Sequence, residues 1–498
     1  MSADELWLQR RRAGVLLHPT SLPGPEPGGG MGPEAEWFVD FLAEAGFGVW
    51  QMLPVGPVHE DRSPYNAQSS FAGHTGLLSA RRLREKGLVG QPRRAEQDDL
   101  DGTALVADAW DTFRHDADAH RWSEYEDFLR RHVDWLDEYA LFRAIRADQG
   151  HRPWYRWPRP LRRRDAQALE QARREHGAAM DRARFGQFLF FTLWGELRDY
   201  AAARGVELFG DIPIYVAHDS ADTWCWREFF TLDVDGRRQA RAGVPPDAFT
   251  DTGQLWGNPL YRWSRLAADG YRWWIRRFEV QCTLFSMLRI DHFRGFDACW
   301  KVPGGARTAE GGHWEPGPGR ALFDAVSQAL GSLRLVAEDL GEITPSVEQL
   351  RRDLGLPGMR VLQFAFDGEA DNPHLPANIG PDAVVYTGTH DNDTTLGWWK
   401  QLTGAQRERV CYWLGTEEAT MPETLIQTAM NTAGRLAMVP MQDLLGLDSR
   451  ARMNTPGTAR GNWHWRLSGA DMPDDLAQRS RRLLAETDRL EGDASSWS

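Results

Sequence analysis

The residues that could do chemistry fall in a few short segments. Positions 288–296 read LRIDHFRGF, so a stretch that opens like a buried strand also carries Arg289, Asp291, His292 and Arg294. Charges are almost never fully buried unless they are paired or used chemically. The segment is therefore either a structural salt bridge or the centre of an active site. Arg289 and Asp291 stand two apart, and on a strand they share a face. A guanidinium beside a carboxylate favours its ionised form and fixes its orientation, which suits a nucleophile. Glu338, in LVAEDL, has an apolar setting that would raise its pKa and keep a proton ready for a leaving group. Such a nucleophile and acid, about 5 to 5.5 Å apart, are what a retaining glycosidase uses. GTHDND adds His390, Asp391 and Asp393. These three could compete as metal ligands, but they offer neither an EF-hand loop nor zincin spacing, and no metal is expected.

Positioning such groups requires a frame, and the chain supplies a repeating one. Eight short apolar runs recur: AGVLLHPTSL, FGVWQMLPVGP, VELFGDIPIYV, SMLRIDHF, LRLVAEDLG, RVLQFAFD, AVVYTGTHD and LAMVPMQDLL. Helix-period segments separate several of them, for example TPSVEQLRRDLG, with Thr344 as N-cap, Pro345 at the first helical position and Gly355 past the end. Near-continuous apolar strands alternating with helices fit a closed parallel sheet covered on both sides, an α/β fold of the TIM-type (β/α)8 barrel. Catalytic groups then stand at the carboxyl ends of the strands. That rule delivers His18, Pro54, Asp211, Asp291, Glu338, Asp367, Asp391 and Asp443 to one rim. A single carboxylate at a strand end is usually a cap or an ion-pair partner, but Asp211, Asp291, Glu338 and Asp391 together exceed what a structural rim needs.

Two stretches interrupt the alternation. Residues 81–183 are charged, tryptophan-rich and helix-forming, with EYEDFLRRHVDWLDEYALFRAIRAD the clearest amphipathic part. They read as a helical subdomain inserted between a first barrel part, 1–80, and the remainder, 184–498. Residues 217–268 hold RAGVPPDAFTDTGQLWGNPLYRW, dense in Gly, Pro and aromatics and without a regular period. Long irregular loops in compact proteins are commonly lids or binding loops. Pro245, Pro246, Phe249 and Trp256 are the expected lid residues.

Composition narrows the partners. The 498 residues carry a net charge of −13, and the basic residues are mostly scattered arginines, which argues against nucleic acid or an anionic membrane. No run approaches the roughly 20 apolar residues of a membrane span, and MSADELWLQRRRAG lacks an apolar core, so a cytoplasmic protein is expected. Cys225, Cys282, Cys299 and Cys411 lack CxxC spacing and read as free core thiols. The 23 tryptophans supply flat faces suited to sugar rings, although core packing accounts for most.

Ten segments carry a resemblance: GVLLHPTSLPG, WQMLPVGP, SPY, FGDIPIYVAHDSADTW, AGVPPDAFTDTGQLWGNPLYRW, RIDHFRGF, VAEDLG, PGMRVLQFAFD, YTGTHDNDTTLGWW and ARMNTPGTARGNWHWR. Together they resemble the amylomaltase, or 4-α-glucanotransferase, family of the α-amylase clan, nearly end to end and weakest across the helical insert. The resemblance implies a barrel without a C-terminal β-domain that disproportionates α-1,4-glucans. Its partners would be maltooligosaccharides, amylose, glycogen and glucose, and the chain a monomer or weak homo-oligomer. No cofactor is expected, because the glycosidic bond energy is conserved. The family's nucleophile falls on Asp291, its acid/base on Glu338 and its third, transition-state carboxylate on Asp391. Arg289 and His390 match groups flanking the reacting ring, and Tyr65 matches the stacking platform. Asp247, Gln254 and Trp256 match the acceptor-side loop, and Asp339, Asp367 and Asn454 match further hydroxyl contacts; Asp211 joins them as a rim carboxylate. The stretch VHEDRSPYNAQSSFAGHT departs from the family at Glu60 and His74. An α-amylase-like hydrolase would share the same carboxylates and differ in the lid. A non-catalytic glucan-binding barrel would have lost one of the three, and all are present.

Overall fold

The computed structural model describes residues 10–24, 29–90, 101–246, 251–469 and 472–490. The described strands, in chain order, are β1 (Arg12–Leu16), β2 (Val49–Gln51), β3 (Glu207–Pro213), β4 (Ala240–Val244), β5 (Gln254–Pro259) and β6 (Met287–Asp291). They continue with β7 (Ala298–Pro303), β8 (His313–Pro316), β9 (Leu335–Ala337), β10 (Gly358–Val361), β11 (Ala383–Tyr386) and β12 (Leu436–Pro440). Eight form one parallel sheet in the order β10-β11-β12-β1-β2-β3-β6-β9. Its two edges meet where the Ala337 N–H donates to the Pro357 carbonyl at 2.9 Å. The result is a TIM-type barrel, and each of its eight strands overlaps one of the apolar runs. No separate C-terminal β-domain is present among the described residues.

Alternation along each strand sorts side chains into two cores. Val49, Phe209, Met287, Val336, Met359, Val361, Val384, Tyr386, Leu436 and Met438 fill the barrel interior as one cluster. Trp50, Leu208, Leu288, Ile290, Ala337, Ala437 and Val439 join the larger core under the helices. Burial on both faces is why the strands read as unbroken apolar runs. At the level of Gly14, β1 contributes no side chain to the interior: a Cβ there would lie 2.6 Å from the Val49 carbonyl oxygen.

Helices Thr103–Asp116, Ala119–Arg131, Val133–Asp148, Ala166–Glu175 and Gly177–Ala202 lie between β2 and β3. The predicted boundary at 183 falls inside the last of these. Its apolar face runs without a break through Met180, Phe185, Leu189, Leu193 and Leu197, so one continuous helix crosses that position. Trp194 Nε1 donates to the Leu284 carbonyl at 2.8 Å, fixing its far end to the barrel. No helix among the described residues is long and apolar enough to cross a membrane. The four cysteines are free, with Cys299 buried and the others half-buried.

The stretch 217–268 is more regular than its sequence suggests, which corrects the expected irregular loop. β4 and β5 pair antiparallel, and β7 and β8 extend them into a four-stranded sheet, β5-β4-β7-β8. Half of that sheet comes from 298–316, outside the predicted 217–268. Trp300 and Trp314 face each other across β7 and β8 with ring centroids 5.2 Å apart, a cross-strand pair of the kind that stabilises short strands.

Asp339 helps close the barrel rather than lining its mouth. Its Oδ1 accepts from the Met359 N–H at 2.6 Å, and its carboxylate pairs with Arg360 at 3.2 Å and Arg351 at 3.4 Å. The neighbouring Glu338 takes the inward direction, so alternation sends Asp339 outward between β9 and β10. Removing one partner of a buried pair leaves the other charge uncompensated. Asp339→Ala should lower the stability by about 3 kcal/mol, read as a fall in the urea midpoint at unchanged slope; an unchanged midpoint would refute this role.

Candidate active site

The charges of LRIDHFRGF are paired: Arg289 bridges Asp211 and Asp291 at the carboxyl ends of β3 and β6. Arg289 points into the barrel and is 5 % exposed. Its Nη2 donates to Asp291 Oδ1 at 2.9 Å and its Nη1 to Asp211 Oδ2 at 2.5 Å. The Tyr65 hydroxyl donates to the same Asp211 oxygen at 2.7 Å. Against the cost of its burial, Asp211 and Asp291 hold the guanidinium firmly charged. Burial pushes the Asp211 carboxyl up to about 7, opposed by Arg289 and Tyr65. Asp291 keeps 28 % of its side chain exposed at the end of β6, so the nucleophile candidate is oriented from below and open above.

Glu338 follows β9 and is tied to the residue after Asp291. Its Oε2 accepts from the His292 N–H at 2.7 Å and its Oε1 from the Leu340 N–H at 3.0 Å. His292 adopts the left-handed conformation, φ 50°, unusual outside glycine, and this bend turns its N–H toward Glu338. Burial raises the Glu338 carboxyl to about 7, with Arg289 opposing and the Asp291 charge adding. Two carboxyls on adjacent strands thus sit in opposite environments, one beside a cation and one desolvated.

The third carboxylate comes from the loop after β11. Asp391 Oδ1 accepts from Asn454 Nδ2 at 2.6 Å and lies 3.4 Å from His390 Nε2. Arg452 Nη2 donates to the Asp391 carbonyl at 2.7 Å. The Asp391 side chain is 47 % exposed. Burial lowers the His390 pKa, which keeps the imidazole neutral. Tyr65 stacks on His390, centroids 5.1 Å apart and 14° between planes. One face of the expected stacking platform is therefore covered by His390, and Trp463 stands 6.1 Å away on a tilt.

Beside the turn that follows Asp291, β5 carries Gln254 and Trp256. The indole meets the His292 ring edge-on at 4.7 Å and donates from Nε1 to Gln254 Oε1 at 3.0 Å. Trp256 remains 40 % exposed, an apolar roof beside Asp291. Asp247 and Phe249 lie outside the described residues.

Two rim assignments, Asp367 and Asp443, and one hydroxyl contact implied by the resemblance, Asp339, are corrected. Asp367 is exposed and caps its own loop, accepting from the Glu369 N–H at 3.0 Å and Asn372 Nδ2 at 2.9 Å. β10 ends at Val361 and a short helical turn carries the chain away, so no bond joins Asp367 to the Asp291 group among the described residues. Asp339 is turned outward, as described. Asp443 is buried below the loop of Asp391, because a helix begins directly after Pro440. Glu60 stands 3.6 Å from Arg146 on the surface, while His74 is buried and so presents no surface for a glucan. His292, Arg452 and Trp463 join the site without having been expected there. All three lie in quoted segments, but nothing in their spacing marks a backbone donor, a carbonyl clamp or a stacking neighbour. No group of three or more His, Cys, Asp or Glu that could hold a metal occurs among the described residues.

A family profile described as 4-alpha-glucanotransferase, glycoside hydrolase family 77, matches residues 17–472. The chain belongs to the 4-alpha-glucanotransferase family. It is 45 % identical to the 4-alpha-glucanotransferase of Thermus thermophilus, covering 96 % of this chain and 99 % of that one. The chloroplastic/amyloplastic 4-alpha-glucanotransferase of Solanum tuberosum is 43 % identical over 97 % of this chain and 87 % of its own. Among solved structures, the amylomaltase from Streptococcus agalactiae in complex with acarbose superposes with a TM-score of 0.92 at 34 % identity, covering 97 % and 100 % of the two chains. The amylomaltase from Corynebacterium glutamicum, at TM-score 0.78 and 17 % identity over 99 % and 77 %, shows the fold alone. Membership makes the protein an enzyme of the glucanotransferase type.

For such an enzyme the fork of Arg289 is decisive, since one guanidinium orients two carboxylates at once. A lysine there keeps the charge and loses the geometry. Arg289→Lys should reduce glucan-transfer turnover by about 100-fold while the protein still unfolds cooperatively; near-normal turnover would contradict the bridging role.

Proposed function

We propose that the protein moves α-1,4-glucan segments from a donor to the 4-hydroxyl of an acceptor glucan or glucose by a retaining double displacement. Asp291 attacks the anomeric carbon while Glu338 protonates the glycosidic oxygen, giving a covalent glucosyl enzyme and freeing the reducing-end piece. Glu338, now a base, takes the proton from the acceptor hydroxyl, and the new bond releases Asp291. Asp391 holds sugar hydroxyls and stabilises the oxocarbenium-like transition state, with His390 and Asn454 beside it. Donors and acceptors in this reading are maltooligosaccharides, amylose and glycogen, and no nucleotide is consumed.

The observation that carries this reading is the contrast between the two adjacent carboxyls. Asp291 shares Arg289 with Asp211, whereas Glu338 is held by two backbone N–H groups and raised by burial to about 7. Two neighbouring carboxyls in such different surroundings suit separate acid and nucleophile roles.

Transfer must outcompete bulk water, which requires the acceptor to be held at a high effective concentration; well-oriented pairs reach ~10⁵ M or more. The hairpin of β4 and β5, with Pro245, Pro246 and Trp256, is the proposed acceptor holder. The helices of 81–183 are proposed as an inserted subdomain that braces the Tyr65 loop, where Arg143 Nη1 donates to Gln68 Oε1 at 3.0 Å.

Maltotriose separates the outcomes. A transferase converts it to glucose and a ladder of longer glucans with little gain in reducing ends, while steady growth of reducing ends would mean hydrolysis and overturn the transfer reading. Asp291→Ala and Glu338→Ala should each lower turnover by several orders of magnitude with glucan binding largely retained; near-wild-type activity in either would remove the assignment.

The acid must be protonated in the free enzyme, so activity depends on pH with a definite sign. As pH rises through about 7 the proton on Glu338 is lost, and kcat/KM for the donor should fall about tenfold per unit above that point. In Glu338→Gln the alkaline limb should disappear along with nearly all activity; an unchanged limb in the residual rate would assign it to another group.

A further inference from the structure

Asp443 was expected at the rim, yet it is 1 % exposed and faces no cation within bonding distance among the described residues. Its three hydrogen bonds all come from threonines. Thr387 Oγ1 donates to Oδ2 at 2.7 Å, Thr395 Oγ1 donates to Oδ2 at 2.6 Å, and the Thr395 N–H donates to Oδ1 at 2.7 Å. Thr387 directly follows β11 and Thr395 opens the helix Thr395–Gln401. The two threonines, each fully buried, are the stems of the loop that carries His390 and Asp391.

The upper part of the same loop is held by the same chain segment. After Asp443 the chain continues to Arg452 and Asn454, which grip the Asp391 carbonyl at 2.7 Å and the Asp391 carboxylate at 2.6 Å. The Asn454 N–H also donates to the His390 carbonyl at 3.2 Å. Between these points Ser449 Oγ donates to Asp393 Oδ2 at 2.7 Å. Inside the loop, Thr389 and Asn392 form a local turn, with the Thr389 N–H donating to Asn392 Oδ1 at 2.9 Å. This turn fixes the tip relative to its stems. The height and direction of Asp391 are therefore set by where the stems are pinned.

We propose that Asp443 is a positioning residue for the transfer reaction, its carboxylate drawing Thr387 and Thr395 together so that Asp391 meets the reacting sugar. A buried carboxylate with no counter-charge is costly unless its oxygens are satisfied by donors. A neutral asparagine would fill the space more cheaply but could not accept from all three groups, since its amide nitrogen donates. A serine or threonine at both stems supplies the required hydroxyls in a fixed place. The inference rests on the proposed role of Asp391 and concerns how that group is aimed.

The test is a double-mutant cycle on fluoride release from α-maltosyl fluoride, a donor whose leaving group needs no acid. Asp391→Asn alone should be strongly impaired; if it is not, the reading of Asp391 fails and the inference with it. Given that impairment, Asp443→Asn alone should cut kcat by roughly 100-fold, the cost of an ångström-scale misplacement. In the Asp391→Asn background the same change should cost less than about threefold, because its target is already gone. Thr387→Val should lose about tenfold or more in kcat, and Thr387→Ser, which keeps the hydroxyl, should restore most of it. Full additivity of the Asp443 and Asp391 changes, or equal activity of the valine and serine variants, would overturn the proposal and leave Asp443 a purely structural residue. Should Asp443→Asn not fold, the valine and serine pair, measured in both backgrounds, decides between the same two roles.

Discussion

The bridge from Asp211 through Arg289 to Asp291 is the constraint around which the site is organised. A guanidinium inside a parallel barrel is tolerable only when its charge is answered, and here two carboxylates and a tyrosine hydroxyl surround it. The same arrangement that makes burial possible also orients Asp291, which takes one fork of the guanidinium at 2.9 Å. Because Asp211 comes from β3, Asp291 from β6 and Tyr65 from the loop after β2, three consecutive staves are locked in register at the mouth. Stability and chemistry are thus served by one set of contacts, and neither can be relaxed without the other.

Around that bridge the site divides into layers of different stiffness. Glu338 is held by backbone donors, which have no rotamers to change. Asp391 is held by side chains on a loop that depends on the chain after β12. Trp256 stands exposed on a separate sheet, outside the barrel. Rigidity therefore falls from Glu338, through Asp391, to Trp256, the order expected if bond making needs a fixed frame and glucan entry needs a movable one.

How much of this could be read beforehand follows from the physics of each element. The barrel strands were legible because burial on both faces makes them continuously apolar, and Asp291 and Glu338 were legible because a charge in such a run demands a reason. β4, β5, β7 and β8 were not, since short half-exposed strands broken by glycine and proline leave no period. Asp367 and Asp443 differ from the strand-end rule, and Asp339 from the resemblance, for a related reason: a position near a strand end does not fix the direction of the side chain. Asp339 follows an inward residue and must point out, β10 stops well before Asp367, and Asp443 belongs to a helix. His292 escaped notice because its contribution is a backbone N–H in an unusual conformation, which no side-chain pattern records.

β4 and β5 enter the four-stranded sheet before β6 in the chain, and β7 and β8 enter it directly after, so the strand bearing Asp291 is flanked on both sides by parts of one small platform. Trp256 on that platform rests against His292, and the Gly317 and Gly319 N–H groups donate to the Asp297 and Phe296 carbonyls just beyond. Canopy and floor are consequently a single continuous piece of polypeptide folded back on itself. Trp256 on β5 and Trp314 on β8 stand at opposite edges of the sheet, yet one leans on His292 and the other lies under the Arg294 guanidinium, so an exchange at either edge loads the same bend after Asp291.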